Sequence, residues 1–185
     1  VPKKTWWEKP LPQAIQYAKK HKIKVIDQFR DKLRFLSNFY YHQGWTAEHR
    51  FQAEKALNRT MKNSILWSSS PQAAKRMGNS VPLTPDLVEM WDEAKDMIMK
   101  EVLTQKFEID EMRDLLLSTK DALLIEGNTW HDQYWGDCRC SRHKKTAGQN
   151  KLGQLLMEIR HKLAEEEKCR KKSKAKVKAK KLKKK

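Results

Sequence analysis

Cysteine is scarce, with three residues in 185, and the spacing of Cys138, Cys140 and Cys169 fits no disulfide framework, which points to a reducing compartment. Long apolar runs are missing too. No segment approaches the run of about 18 residues that a membrane-spanning helix needs. No charged-then-apolar leader precedes a small-residue cleavage site, so an intracellular protein, cytoplasmic or nuclear and without membrane contact, is expected. No internal repeat emerges, which excludes a solenoid. Apolar residues make up only 38% of the chain, and one core is the expectation at this length.

Acidic residues are absent from residues 168–185, where twelve Lys or Arg crowd together; without them the formal charge falls from +17 to about +5. Like charges at this density, with only Val177 and Leu182 as sizeable apolar residues, bury too little surface to offset the entropy of ordering. The expectation is a disordered lysine-rich tail that serves as a polyanion anchor, contacting nucleic acid, or as a nuclear address. Residues 1–21 are Pro-punctuated and read as an N-terminal arm with Trp6 and Trp7 packed on the domain, which then occupies residues 22–167.

Within that domain, alternation around Ile23 and Val25 predicts a short strand over residues 22–29, and a second is expected at residues 34–36. Thr46 is a good N-cap for a helix over residues 46–61. Its core side carries Ala47, Phe51, Ala53, Leu57 and Met61, while Glu48, Gln52, Lys55 and Arg59 share a polar band that reads most simply as a solvated face. Further helices are expected over residues 70–79, 85–107, 110–117 and 150–168. The fold class is mainly α with a small β element (α+β), in a single compact domain.

Three polar, aromatic-rich stretches stand apart in sequence: FLSNFYYHQGWTAEH, WDEAK and EGNTWHDQYWGD. The last is bounded by turn formers Gly127, Asn128 and Gly136, so its indoles belong to a loop. Glu48 lies in the first turn of its helix, where the dipole keeps a carboxylate ionised unless burial opposes it. Cleavage of an N-glycosidic bond develops oxocarbenium charge, which a carboxylate stabilises while another group assists attack or departure; Glu48 and Asp132 are a candidate pair. Trp45, Trp91, Trp130 and Trp135 offer stacking surfaces for a base. Lys55, Arg59, Lys75, Arg76 and Lys95 are candidates to neutralise phosphate. Cys138, Cys140 and His143 supply too few ligands at an unfamiliar spacing, so no metal is expected.

Taken in order, FLSNFY at 35–40, WTAEHRFQAEK at 45–55, AKRMG at 74–78, the Trp91 and Lys95 pair, KF at 106–107, LIEGNTWHDQYWG at 124–136 and GQNKLGQLLMEIR at 148–160 resemble the NADAR, or YbiA-like, family. The resemblance spans roughly residues 29–163, and linked motifs in order are far more specific than any one. It implies a compact, mostly helical N-glycosidase with no cofactor. Some relatives cleave ribosylamino-pyrimidine phosphates, intermediates of riboflavin biosynthesis, and others remove ADP-ribose from guanine in nucleic acid. It further implies that Glu48 is the leading catalytic carboxylate and Asp132 the second acid. Asn38, Phe39, Trp45, Lys55, Trp91, Lys95, Trp135 and Gly136 then line the substrate pocket.

Three positions depart from that pattern. Asn79 stands where many relatives carry Arg, His131 where Gly is common, and Tyr41 where Pro is usual. Arg76 is the candidate to replace the missing phosphate contact. The expected function is therefore hydrolysis of a ribosyl or ADP-ribosyl N-glycoside. The alternative is a non-catalytic ADP-ribose or NAD reader tethered to nucleic acid by the basic tail. A plain nucleic-acid-binding protein is a third reading.

Overall fold

A computed structural model describes residues 5–182. Seven α-helices surround two very small parallel sheets: α1 (Leu11–Lys20), β1 (Val25–Ile26), α2 (Ala47–Ala53), α3 (Arg59–Leu66), α4 (Pro71–Asn79), α5 (Pro85–Phe107), α6 (Asp110–Ser118), β2 (Leu123–Leu124), β3 (Gly127–Asn128), β4 (Asp137–Cys138) and α7 (Lys151–Leu182). β1 pairs with β2, Val25 opposite Leu123, and β3 with β4, Gly127 opposite Asp137. The mainly helical α+β class expected from the sequence is what the chain adopts.

The main core gathers Leu103 and Phe107 of α5, Leu116 of α6, Leu123 and Leu124 of β2, and Leu152 and Leu156 of α7, each essentially inaccessible to solvent. Apolar residues spaced at helical intervals give these helices the stripe that packs there. In α5 only the C-terminal half is sealed; Met90 remains 63% exposed. Buried Arg160 of α7 ties this helix to the end of α6, donating to Thr119 Oγ1 and to the Ala122 carbonyl, both at 2.8 Å.

Four local expectations change. Residues 5–21 are not an arm: Leu11, Ala14 and Ala18 of α1 enter the core, and Trp6 stacks on Tyr17 at 5.1 Å while Trp7 packs against the domain. Residues 34–36 lie in a 3-10 turn (Asp31–Leu36), not a strand. The single helix over residues 46–61 is two, because Asn58 leaves helical geometry and its side chain caps α3 by accepting from the Met61 N–H at 2.8 Å. Lastly, α7 continues as helix through Leu182 in place of the disordered tail expected from Lys168. Lys and Ala are good helix formers, and the Lys168–Glu165 and Lys171–Glu167 pairs, both at 2.7 Å, support its extension. Residues 183–185 of that run lie outside the described residues. No helix among the described residues is long and apolar enough to cross a membrane.

Candidate active site

Thr46 caps α2 by accepting from the His49 N–H at 3.2 Å, which places Glu48 in the first turn. The strap at residues 37–40 crosses this end: the Asn38 carbonyl accepts from the Glu48 N–H at 2.9 Å, and the Asn38 side-chain amide donates to Glu48 Oε2 at 2.5 Å. One turn along, Gln52 Nε2 donates to Glu48 Oε1 at 2.8 Å. The polar band of α2 is therefore not a solvated face; Glu48 and Gln52 are 2% and 3% exposed. Helix α4 makes this possible by crossing α2 at Gly78, where a Cβ would lie 2.2 Å from Gln52 Oε1. Burial holds the Glu48 carboxyl above the usual carboxylate range, against the Gln52 and Asn38 hydrogen bonds and the attraction of Lys75 and Lys55.

The loop between β3 and β4 forms the opposite wall. Asp132 Oδ1 accepts from the backbone N–H groups of Tyr134 at 3.0 Å and Trp135 at 2.8 Å, while the Asn128 side chain clamps the Asp132 main chain from the other side. Two main-chain donors make this carboxylate a fixed acceptor whose second oxygen is left for other partners.

Between the walls lies a cleft of about 590 Å³, within the range of small-molecule sites. Asn38, Phe39, Glu48, Arg76, Asp132 and Trp135 line it, as do Lys75 and Trp130. Trp130, 58% exposed, and Trp135, edge-on to Phe51 at 5.4 Å, present aromatic surface. Lys75 Nζ sits 5.8 Å from the Phe39 ring centre. Lys55 borders the cleft by donating to Asn79 Oδ1 at 3.1 Å, with Trp91 beneath its ammonium at 4.9 Å. Burial lowers the pKa of Lys55, opposed by the attraction of Glu48.

Other expected residues lie elsewhere. Trp45 packs with Trp67 at 5.2 Å and lines a separate dimple of about 30 Å³. Lys95 pairs with Asp92 at 2.7 Å and covers the Tyr134 ring, and Arg59 is exposed at the start of α3. Trp91 supports Phe51 from behind, at 4.9 Å. Gly136 is a packing position: a Cβ there would sit 2.2 Å from the Glu126 carbonyl oxygen and 2.4 Å from Glu126 Oε2.

Glu126 is the residue that sequence reasoning did not single out. It lines the cleft, and its Oε2 is buried with no hydrogen-bond partner among the described residues. Burial, then the charges of Asp132 and Glu48, push its carboxyl up to about 8 despite Lys75, so a proton resides there at neutral pH. Asn150, at the entry to α7, fixes the segment: its Oδ1 accepts from the Glu126 N–H at 3.0 Å and its amide donates to the Leu124 carbonyl at 2.9 Å. The one sequence signal for this was Glu126 standing directly before the Gly127–Asn128 turn.

A buried carboxylate with two amide donors, a carboxylic acid and a second anchored carboxylate thus face one aromatic and basic cleft, on a helical frame. The model of the NADAR domain matches residues 9–164, and the chain belongs to that family. It is 44% identical over 122 residues to N-glycosidase YbiA of Escherichia coli strain K12, covering 64% of this chain and 70% of that protein. Protein irg-1 of Caenorhabditis elegans is 27% identical over 127 residues, 63% of this chain and 59% of that protein. The NMR structure of Escherichia coli YbiA superposes with a TM-score of 0.64 at 38% identity, covering 78% of this chain and 87% of that one. The family match begins at residue 9, in accord with α1 being part of the domain.

Proposed function

We propose that this chain is an N-glycosidase that hydrolyses a ribosyl or ADP-ribosyl N-glycoside. The observation that carries the reading is the convergence of Glu48, Glu126 and Asp132 on one cleft that also offers indole faces and the cations of Lys75 and Arg76. The base stacks on Trp130 or Trp135 and phosphate meets Lys75 and Arg76. As the glycosidic bond breaks, positive charge grows on the ribose. A carboxylate held in a buried site at Glu48 is costly on its own and gains most when a cation appears beside it, so it favours the transition state over the ground state. Glu126, protonated at neutral pH, gives its proton to the departing base nitrogen. Asp132 receives a proton from the attacking water, whose oxygen bonds to the ribose carbon, and the proton exchange with solvent resets both acids.

Among substrates, guanine-linked ADP-ribose in nucleic acid is favoured over a ribosylamino-pyrimidine phosphate, because the basic run from Lys168 would hold the enzyme near polyanions. The test is single-turnover release of ADP-ribose from ADP-ribosylated DNA beside turnover of the pyrimidine phosphate, with wild type and Glu48→Gln. Release from DNA that vanishes in the variant supports the reading. Turnover of the pyrimidine alone moves the enzyme to metabolism. Tight ADP-ribose binding with no turnover of either would establish a reader, for which three clustered carboxyls have no use.

A further inference from the structure

The back of the cleft-lining loop carries a cluster that the glycosidase chemistry does not use. His131, Cys138, Cys140 and His143 each offer one ligand atom, and these four atoms all lie within 4.8 Å of one another. Cys140 Sγ is 3.3 Å from His131 Nδ1 and 3.3 Å from His143 Nδ1. With metal–sulfur bonds of about 2.3 Å and metal–nitrogen bonds of about 2.0–2.1 Å, a tetrahedral ion needs sulfur and nitrogen roughly 3.5 Å apart. Those two edges are in place before any ion enters.

We propose that these residues form a Cys₂His₂ site for a zinc-type divalent cation. Two independent features of the backbone serve it. The turn Ser141–His143 is a short 3-10 helix, whose three-residue repeat brings Cys140 and His143 to the same side. His131 sits at φ +72°, a left-handed conformation that costs a non-glycine residue of order 1 kcal/mol, and its imidazole nevertheless lies against Cys140. A ligand role accounts for a side chain at a position where the backbone favours none.

Sequence spacing hid the site, since Cys138, Cys140 and His143 are one ligand short and His131 lies across the β3–β4 loop. Two thiolates and two neutral imidazoles leave a divalent ion with no net charge, and four protein ligands close the tetrahedron, so the site is structural in kind. Binding releases the two thiol protons to solvent. The ion would staple the turn of the loop at His131 to the exit of β4, and so hold rigid the segment bearing Asp132 and Trp135.

The experiment uses the full chain, reduced and stripped with a chelator, then titrated with Co²⁺ and separately with Zn²⁺. One equivalent of Co²⁺ should give a thiolate-to-metal charge-transfer band with tetrahedral d–d absorption, and Zn²⁺ should displace it and raise Tm. His131→Gly, which suits the left-handed backbone, and Cys140→Ser should each weaken Co²⁺ binding on the order of a hundredfold and abolish the rise in Tm. Absence of the charge-transfer band in the reduced wild type, or unchanged affinity in His131→Gly, overturns the site. Neither readout depends on glycosidase activity.

Discussion

Burial keeps the proton on Glu126 in the cleft wall against the pull of Lys75, while Glu48 keeps two amide donors aimed at its oxygens. This asymmetry divides their labour and makes it measurable. Glu48→Gln removes the charge that meets the oxocarbenium ion with little change of shape, and single-turnover rates should fall by about 10²–10³-fold with substrate affinity nearly retained. For Glu126→Gln the loss expected of a missing general acid is about 10²–10⁴-fold. In the wild type the basic limb of the rate profile should lie near pH 8, where Glu126 loses its proton, and that limb should disappear in the variant. The same residue marks stability. Between its ordinary pKa of 4.5 and about 8 the folded protein keeps a proton that the unfolded chain has released. Its contribution is therefore complete below the lower value and lost as pH rises through the upper one. Denaturant titrations of wild type and Glu126→Gln across that window should show a falling stability in the first and a flatter one in the second.

Helices α2 and α4 touch where Gly78 has no side chain, and the space that a Cβ would take is occupied by Gln52, the donor to Glu48 Oε1. Gly78→Ala should therefore push the two helices apart or displace Gln52, at about 1–3 kcal/mol of stability and with loss of turnover. Adding Gln52→Ala should restore part of the Tm, because the Oε1 and Cδ atoms at 2.2 and 2.9 Å are gone and only the Cβ of residue 52 at 2.8 Å remains, without restoring the rate, because Glu48 still lacks its donor. Additive losses in the double variant would refute this coupling. The helices themselves were largely legible in sequence: Ser70 and Pro71 announce α4, Pro85 opens α5, and leucine periodicity marks the start of α7. What could not be read was direction. Arg59 groups with Glu48 only on one unbroken helix, and the cap made by Asn58 starts a new helix that leaves Arg59 exposed. Trp45 and Lys95 carry the right chemistry but find Trp67 and Asp92 as partners. Glu126 owes its state to Gly136 and Asn150, whose closeness only the folded chain provides.

At the scale of the molecule, the basic run and the cleft-lining residues come from different stretches of the chain, residues 168–185 against residues 37–135. Among the described residues, the last that α7 contributes to the core is Leu163, 5% exposed, and Arg113 reaches Glu166 at 3.1 Å just beyond it. From Lys168 to Ser173 every residue of the helix is exposed, and residues 168–185 as a whole hold twelve Lys or Arg without one acidic residue. Removing residues 168–185 thus takes away most of the +17 formal charge, and residues 168–173 of that stretch are all exposed. Each duplex phosphate neutralised by the run should contribute about −0.9 to the slope of log affinity against log salt, so binding of the full chain to DNA should weaken steeply with salt. The shortened chain should lose most of that affinity and slope while its Tm changes little. Turnover of a small N-glycoside should then stay within about twofold of the full chain, since steering by exposed charges is screened beyond about 8–10 Å. Turnover of an ADP-ribosylated DNA substrate should fall instead through KM, and mostly at low salt, because the run raises the local concentration of polyanion and touches no reacting atom. An equal loss of kcat on both substrates would mean that the basic helix reaches the cleft itself, and the division between anchor and catalytic domain would have to be abandoned.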